Sequence, residues 1–229
     1  MALLVVKKAE NIEEELKASY RLRYEVYVKK LGWLGNSYAD HLEKDEYDDC
    51  PDQSSTFIAY RDGLPVKSGI IGVVRVIYPT KDLPLPIYRD FPECDFPPKA
   101  EKSCEISRLI CSDVFKALNI EERSVYARHS ISLALIRALY RETWYEKNIT
   151  HWFASLDVVV LGLIRFLGFP FEEIGEPKYY MGSLTAPVVL PRDKANAAFL
   201  ENPPLYEYLN GDIIEEEVVE KASVVLNSS

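Results

Sequence analysis

The spacing of apolar residues predicts that the chain begins with a strand followed by a helix. Residues 3–6 form a short apolar run typical of a strand. The face of the following helix is predicted from four residues at helical spacing: Leu16, Tyr20, Tyr24 and Tyr27. Residues 29–55 then contain glycines, a dense acidic group and aromatic residues that include Trp33 and Tyr38. So long a loop is usually functional or disordered, and its aromatic residues argue against disorder.

The middle of the chain predicts a hairpin and a central strand. Residues 56–61 and 66–78 flank an Asp-Gly pair and read as two strands joined by a tight turn. The second strand is apolar on both faces, as a central strand is, and Arg75 is the only charge from residue 69 to residue 78. We expect Arg75 to pair with Glu105 or with an acidic residue of the preceding loop. Residues 79–102 contain six prolines and predict a crossing loop without regular structure.

The second half of the chain alternates between predicted helices and strands. Helices are predicted at 124–147, 158–167, 193–200 and 203–209, and strands at 151–156, 172–174, 179–181 and 188–190. This order predicts an α/β domain in which helices flank a mixed central sheet. We expect residues 1–211 to form one domain and residues 212–229 to form an acidic tail.

Residues 104–111 predict a further central strand that carries two charges, Glu105 and Arg108. Because strand side chains alternate between faces, these two residues should point to opposite sides of the sheet. An ionised group on a buried strand is unfavourable unless it is compensated nearby. The two charges therefore indicate either a structural ion network or a reaction that needs them.

Composition excludes several classes of protein. The net charge of −9 argues against a nucleic-acid binder. The four cysteines form no C-x-x-C pair and the three histidines have no metal-ligand spacing, so we predict no metal site. No run approaches the roughly 20 apolar residues of a membrane span. Lys7 and Lys8 directly follow the first apolar run, which is too short for a signal peptide, and we expect a cytoplasmic protein.

The predicted order of elements resembles the GNAT acyltransferase fold, and several motifs of the first half are similar to those of acyl-homoserine-lactone synthases. The motifs are Arg21-Leu-Arg-Tyr-Glu-Val-Tyr27, Leu31-Gly-Trp33, Glu43-Lys-Asp-Glu-Tyr-Asp48, Arg75 and Glu105-Ile-Ser-Arg108. The residues that match the pattern of that family are Arg23, Tyr27 (usually Phe there), Trp33, Asp45, Asp48, Arg75, Glu105 and Arg108.

The later half resembles a sibling group, the N-acyl amino acid synthases, which includes exosortase-associated acyltransferases. Its motifs are residues 139–143, 149–152, 168–169, 174–175 and Tyr180-x-Gly182, together with the proline-rich insert. The resemblance covers roughly residues 12 to 210. It implies transfer of a fatty acyl group from acyl carrier protein to an amine, with no bound cofactor beyond the acyl-phosphopantetheine of the donor.

The resemblance also implies roles for the matching residues. An ammonium must lose a proton before it attacks a thioester, and we expect Glu105 to accept that proton. Burial should raise the pKa of Glu105 and the two arginines should lower it. Strand amides near Ser107 or Leu109 could stabilise the oxyanion. Arg75 and Arg108 would order the site or bind the carboxylate of the acceptor.

The acidic loop and the first helix would complete the site. Asp45 and Asp48 would link the loop to the arginines. Arg23, Tyr27 and Trp33 would line the mouth through which the acyl-pantetheine enters. For the three aromatic residues Tyr24, Tyr27 and Trp33, simple packing is the alternative interpretation, and for the two aspartates it is a solvated acidic loop. His129 is an alternative base.

The acyl donor is predicted from a motif that the sequence lacks. GNAT enzymes that use acetyl-CoA carry a glycine-rich phosphate loop after the central strand, whereas residues 124–133 contain no glycine. This departure favours the phosphopantetheine of an acidic carrier protein, which needs a local basic patch. The candidate docking residues are Arg123, Arg128, Arg137 and Arg141, for which a salt-bridged solvent face is the alternative interpretation.

Three other functions remain open from the sequence. The first-half motifs favour a homoserine-lactone synthase, whose amine donor is S-adenosylmethionine. An acetyl-CoA-dependent GNAT enzyme is disfavoured by the missing phosphate loop. A non-catalytic binding module is disfavoured because Arg75, Glu105 and Arg108 are all present.

Overall fold

The computed structural model describes residues 4–10, 12–61, 65, 69–97, 102–112 and 130–211. Its strands form one sheet: β1 (Leu4–Lys8), β2 (Ser54–Arg61), β3 (Ile70–Ile77), β4 (Ser103–Cys111), β5 (His151–Asp157), β6 (Glu172–Glu173), β7 (Lys178–Tyr180) and β8 (Ser183–Pro191). The spatial order is β1-β2-β3-β4-β5-β8-β6, with β7 also paired to β8. The β4–β5 pair is parallel and the other pairs are antiparallel, so the sheet is mixed as predicted.

Helices cover both faces of the sheet. They are α1 (Lys17–Arg23), α2 (Pro86–Asp90), α3 (Ser130–Tyr140), α4 (Val158–Phe166), α5 (Arg192–Leu200) and α6 (Pro203–Asn210). Helix α1 is flanked by the π-helical segments Ile12–Leu16 and Tyr24–Lys30, and α3 continues as the π-helical segment Arg141–Glu146. Two short 3-10 turns, Ala39–His41 and Glu46–Asp49, lie in the loop after α1. Among the described residues, no helix is long and apolar enough to cross a bilayer.

The two faces of the central strands pack against different helices. On one face, Val74 and Val76 belong to the main core together with Leu135 of α3. On the other face, Val73 packs against Leu22 and Val26 of the first helix. Alternation along β3 therefore separates two layers, as expected for a strand buried on both sides.

Gly72 sets how closely α3 approaches the sheet. A Cβ atom at this position would lie 2.7 Å from Cγ2 of Ile131 and 3.0 Å from Cδ1 of Leu135. The absence of a side chain thus allows α3 to pack directly on the backbone of β3.

The predicted elements agree with the structure in most places and differ in two. Residues 79–102 contain a short helix, α2, although six prolines predicted a loop. Pro86 lies in the first turn of α2, where a backbone N–H would have no partner within the helix, so proline is tolerated there. Strand β8 extends over Ser183–Pro191, well beyond the predicted residues 188–190, because Pro187 pairs with Ser155 instead of ending the strand. The predicted acidic tail, residues 212–229, lies outside the described residues.

Candidate active site

Strands β4 and β5 separate beyond their first residues. Parallel pairing joins Ser103, Cys104 and Glu105 to residues 151–153, and within the described chain it continues no further. Both strands continue, however, to Cys111 and Asp157 respectively. The seam that opens between them is the floor of a cavity with two lobes, which share residues 106–108 of β4, with Ser155 and Asp157 of β5.

A β-bulge in β4 brings Arg108 to the same lobe as Glu105. Val73 pairs with Ile110 and Arg75 pairs with Ser107, so two residues of β4 face Val74 alone. Arg108 has a φ of 56°, a left-handed conformation that interrupts the alternation of side chains. The prediction that Glu105 and Arg108 point to opposite sides of the sheet is therefore wrong, because the bulge turns Arg108 toward Glu43 and Asp45 of the acidic loop, on the side that Glu105 also faces.

Glu105 lies in the wall of the polar lobe, a cavity of about 210 Å³. The residue is 4% exposed. Its Oε2 atom accepts a hydrogen bond of 2.8 Å from the backbone N–H of Ile87 in α2. Among the described residues, its Oε1 atom has no hydrogen-bond partner. One carboxylate oxygen is thus held by backbone while the other remains available to a ligand.

Burial dominates the ionisation of Glu105. It raises the pKa of this carboxyl to about 7, although the N–H of Ile87 and the charge of Arg75 act in the opposite direction. Arg75 forms its ion pairs with Asp45 and Asp48, so of the two predicted partners the acidic loop is the one that it contacts. Glu105 therefore has no direct arginine partner among the described residues, and a backbone amide orients it instead.

Three arginines and three carboxylates form a buried ion network beside Glu105. Arg23 donates to Glu43 and forms two bonds of 2.9 and 2.8 Å with Asp48. Arg75 forms two bonds of 2.6 and 2.8 Å with Asp45 and donates from Nε to the hydroxyl of Ser107 at 3.1 Å. The side chains of Arg23, Glu43 and Asp48 are fully buried.

Arg108 connects the two halves of this network. Its Nη2 atom lies 2.8 Å from Oε1 of Glu43 and 3.1 Å from Oδ2 of Asp45. Burial alone would raise the pKa of Asp45, but the hydrogen bonds and charge of Arg75 outweigh it and hold that pKa well below its usual range. Burial likewise opposes the ionisation of Asp48, and the nearby arginines lower its pKa. The network fixes the acidic loop on the sheet.

Tyr27 and Trp33 line both lobes. Their ring centroids lie 6.0 Å apart, and the guanidinium of Arg108 lies 5.7 Å from the centre of the Tyr27 ring. Trp33 is in turn covered by the turn before β8, where a Cβ atom on Gly182 would lie 2.8 Å from Cα of Trp33. Gly182 has a φ of 84°, so both its conformation and its contact require glycine.

Arg23 does not line the cavity, contrary to the prediction. Its side chain is fully buried behind the lobe because Glu43 and Asp48 bind its guanidinium there. Three further residues of the site were not predicted as site residues. Glu43 bridges two arginines, and Asp90 and Tyr180 form a hydrogen-bonded pair in the wall of the polar lobe. Glu43 and Tyr180 lie within the quoted motifs, whereas Asp90 follows a proline-rich stretch that gave no signal.

The apolar lobe lies on the other side of the sheet and has a volume of about 250 Å³. It is lined by residues of the main core from α3, β5, α4 and the segment after α4: Ile136, Leu139, Trp152, Ala154, Ile164, Phe169 and Phe171. The polar lobe, in contrast, contacts α2 and the acidic loop. A charged chamber on one face of the sheet and an apolar chamber on the other thus meet at the seam between β4 and β5, where they share lining residues.

The predicted carrier-docking residues lie away from the seam or outside the described part of the chain. Arg123 and Arg128 belong to the residues that are not described, as does His129. Arg137 and Arg141 both donate to the backbone carbonyl of Gly211, at the end of α6. Arg137 is 9% exposed and its guanidinium lies 5.1 Å from the centre of the Tyr208 ring, so the geometry favours a structural part for this residue.

The comparisons with solved structures find the same fold. The acyl-homoserine-lactone synthase LasI superposes with a TM-score of 0.63 at 18% identity, over 83% of this chain and 91% of that one. The CoA-dependent acyl-homoserine-lactone synthase BjaI superposes with a TM-score of 0.60 at 22% identity, over 88% of this chain and 89% of that one.

An N-acyl amino acid synthase is also among the similar structures. FeeM, from uncultured soil microbes, superposes with a TM-score of 0.56 at 13% identity, over 86% of this chain and 95% of that one. No family model and no curated relative matches the sequence. The chain, a GNAT-like α/β domain with a mixed sheet, thus has the fold of the acyl-homoserine-lactone synthases LasI and BjaI and of the N-acyl amino acid synthase FeeM.

Proposed function

We propose that the protein is an N-acyltransferase that moves a long-chain fatty acyl group from acyl carrier protein to the amino group of an amino acid. One observation carries the proposal. A buried carboxyl with a pKa of about 7 lies in a polar lobe that meets an apolar lobe along a seam in the sheet, and one of its oxygens has no partner among the described residues. A general base works best when its pKa is close to the working pH, and Glu105 meets that condition.

The two lobes suit the two substrates. The apolar lobe offers hydrophobic walls for a fatty acyl chain, whose transfer from water contributes roughly 0.8 kcal/mol per buried methylene. The thioester would then lie at the seam, next to Glu105 in the polar lobe. Beyond Glu105 the edge of β4 has lost its β5 partner, which leaves backbone amides near Ser107 and Leu109 as candidates for the oxyanion site.

The reaction needs one base and a good leaving group. The Glu105 carboxylate accepts a proton from the ammonium of the acceptor, and the neutral amine attacks the thioester carbonyl to give a tetrahedral intermediate. Collapse of the intermediate forms the amide bond and breaks the C–S bond. The departing thiolate takes the second proton from nitrogen and leaves as the thiol, and Glu105 releases its proton to solvent.

Arg108 is the better placed of the two arginines for the acceptor carboxylate. Both terminal nitrogens of Arg75 are bound by Asp45. Among the described residues, Nη1 of Arg108 has no partner, and the Arg108 side chain is 14% exposed and lines the polar lobe. An α-amino acid would thus place its ammonium at Glu105 and its carboxylate at Arg108.

The assay uses purified protein, palmitoyl carrier protein and single amino acids, with free thiol and acyl amide as readouts. We expect amide formation with one amino acid or a small group of them. The variant Glu105→Gln should lower kcat/KM by about 100-fold or more. The matched control is Glu93→Gln, which removes an exposed carboxylate from the segment between α2 and β4 and should leave the rate unchanged. Transfer from acetyl-CoA alone, or full activity of a folded Glu105→Gln protein, would refute the proposal.

A homoserine-lactone synthase is the second candidate. It is favoured by the assembly of Asp45, Asp48, Arg75 and Arg108, which match the pattern of that group, into one network beside the cavity. Thiol release in the presence of S-adenosylmethionine, together with no release in the presence of any amino acid, would favour this activity over the first.

A further inference from the structure

The polar lobe contains more carboxylates than cations once the ion network is set aside. Arg23, Arg75 and Arg108 are matched in number by Glu43, Asp45 and Asp48, so the network is close to neutral. Four further carboxylates line the lobe, and one arginine accompanies them: Glu46, Asp90, Glu105, Asp157 and Arg89. The lobe therefore has a negative excess that an incoming ligand has to balance.

Within this group Asp90, like Glu105, is shielded from water and fixed in position. Its side chain is 13% exposed. The hydroxyl of Tyr180 donates to its Oδ2 atom at 2.5 Å, and Nε of Arg89 donates to its Oδ1 atom at 2.8 Å. Nη2 of Arg89 also lies 3.4 Å from Oδ2, so Oδ1 is the oxygen of Asp90 that retains room for a further hydrogen bond.

Arg89 neutralises Asp90 only in part. It is shared with Glu46, which it contacts at 2.6 Å, and its own side chain is 56% exposed. Charges in contact with water are strongly screened, whereas the Asp90 carboxylate is not. The effect of the Asp90 charge reaches Glu105, whose pKa is raised chiefly by burial and further by Asp90. Asp90 and Glu105 both line the polar lobe, so the two carboxyls can act on one small ligand.

We propose that Asp90 binds a second positive charge on the acceptor, so that the acceptor is a basic amino acid. The proposal rests on the proposed function and specifies its substrate class. The α-ammonium would lie at Glu105, the carboxylate at Nη1 of Arg108 and the side-chain cation at Asp90. An acceptor with a neutral side chain leaves the Asp90 charge uncompensated, and one with an acidic side chain is repelled.

Arginine and citrulline are the decisive pair of acceptors, because they have nearly the same shape and differ in charge. The guanidinium of arginine stays protonated, so only its α-amine can be acylated. With palmitoyl carrier protein as donor, we expect kcat/KM for arginine to exceed that for citrulline by about 10-fold or more. Likewise, kcat/KM for lysine should exceed that for norleucine. Mass spectrometry of the lysine product should place the acyl group on the α-nitrogen.

Variants assign the selectivity to Asp90. Asp90→Asn should reduce the ratio of kcat/KM for arginine to kcat/KM for citrulline to about 3 or less, chiefly by raising KM for arginine. Asp90→Glu should restore part of the preference for arginine. Glu93→Gln removes an exposed carboxylate that does not line the lobe, and it should leave the ratio unchanged.

The outcomes separate this inference from the proposed function. Equal or better transfer to citrulline and norleucine in the unmodified protein would overturn the role of Asp90 and keep the acyltransferase, even if the Asp90 variants did not fold. An arginine preference that survives in a folded Asp90→Asn protein would also overturn it. Absence of transfer to every amine would refute the proposed function itself.

Discussion

Glu105 is a buried acid whose ionisation affects folding and the proposed reaction in opposite ways. Its pKa is about 7 in the folded protein, against an ordinary value of 4.5. Between these values the folded state holds a proton that the unfolded state has lost. The free energy of unfolding contributed by this group is thus fully present below about pH 4.5 and falls as the pH rises through 7. The reaction, in contrast, needs the ionised form.

The variant Glu105→Gln tests both effects at once. It should abolish the rise of kcat/KM with pH that we expect near pH 7 in the unmodified enzyme. The unmodified protein loses stability as Glu105 ionises with rising pH, and the variant has no such loss. The free energy of unfolding of the variant minus that of the unmodified protein should therefore increase by about 2–3 kcal/mol between pH 5 and pH 8. Urea unfolding at the two pH values measures this difference, in which other titrating groups cancel. A difference that does not change with pH would show that Glu105 is exposed or already ionised.

Several residues of the site could be selected from the sequence while their arrangement could not. The charges on two apolar strands were sufficient to single out Arg75, Glu105 and Arg108, because an ionised group in a core needs compensation. Which partner compensates each of them depends on how the acidic loop folds back on the sheet. Asp90 lies outside the quoted motifs, and its position in the wall of the polar lobe depends on the turn of α2, which the prolines concealed.

At the scale of elements, local irregularities decide the site. Alternation predicts most of the sheet correctly, and it fails at Arg108, where one bulge reverses the face of the following side chains. A bulge has no reliable sequence signature, so the alternation of apolar and polar residues along the strand could not predict it. The short helix α2 was missed for a similar reason, yet it supplies the N–H that orients Glu105. Sequence periodicity thus predicted the scaffold better than the places where the scaffold departs from regularity.

The acidic loop is held on the sheet by the ion network, and Glu43 is the residue on which two arginines converge. Its side chain is fully buried and contacts both Arg23 and Arg108. The variant Glu43→Gln leaves their charges partly uncompensated in the interior, and it should destabilise the protein by about 3–5 kcal/mol. Urea unfolding at neutral pH measures the loss.

The exposed ion pair of the same loop provides the control for Glu43. Asp49 contacts Lys44 and is 67% exposed at its side chain. Asp49→Asn should therefore change the stability by less than about 1 kcal/mol. Equal effects of the two substitutions would show that the network contributes no more than a solvent-exposed pair.

At the scale of the whole molecule, the sheet both divides and joins the two chambers. The charged residues of the site lie on one face and the main core lies on the other, so in the proposed reaction Glu105 is separated from the acyl chain. The two chambers meet where β4 separates from β5, and within the described chain β4 has no β5 partner beyond Glu105. A thioester lying at this seam would meet the base from one face and keep its acyl chain in the other.

The depth of the apolar lobe should then set the length of the acyl chain. Ala154 of β5 is 1% exposed and lines this lobe, so Ala154→Leu fills space that a long chain would occupy. If two or three methylenes lose their site, at roughly 0.8 kcal/mol each, kcat/KM for palmitoyl carrier protein should fall by about 10-fold or more. Transfer from octanoyl carrier protein should change little. Val159→Leu on the outer side of α4, where Val159 is 77% exposed, should leave both rates unchanged. A uniform loss for all chain lengths would place the acyl group elsewhere.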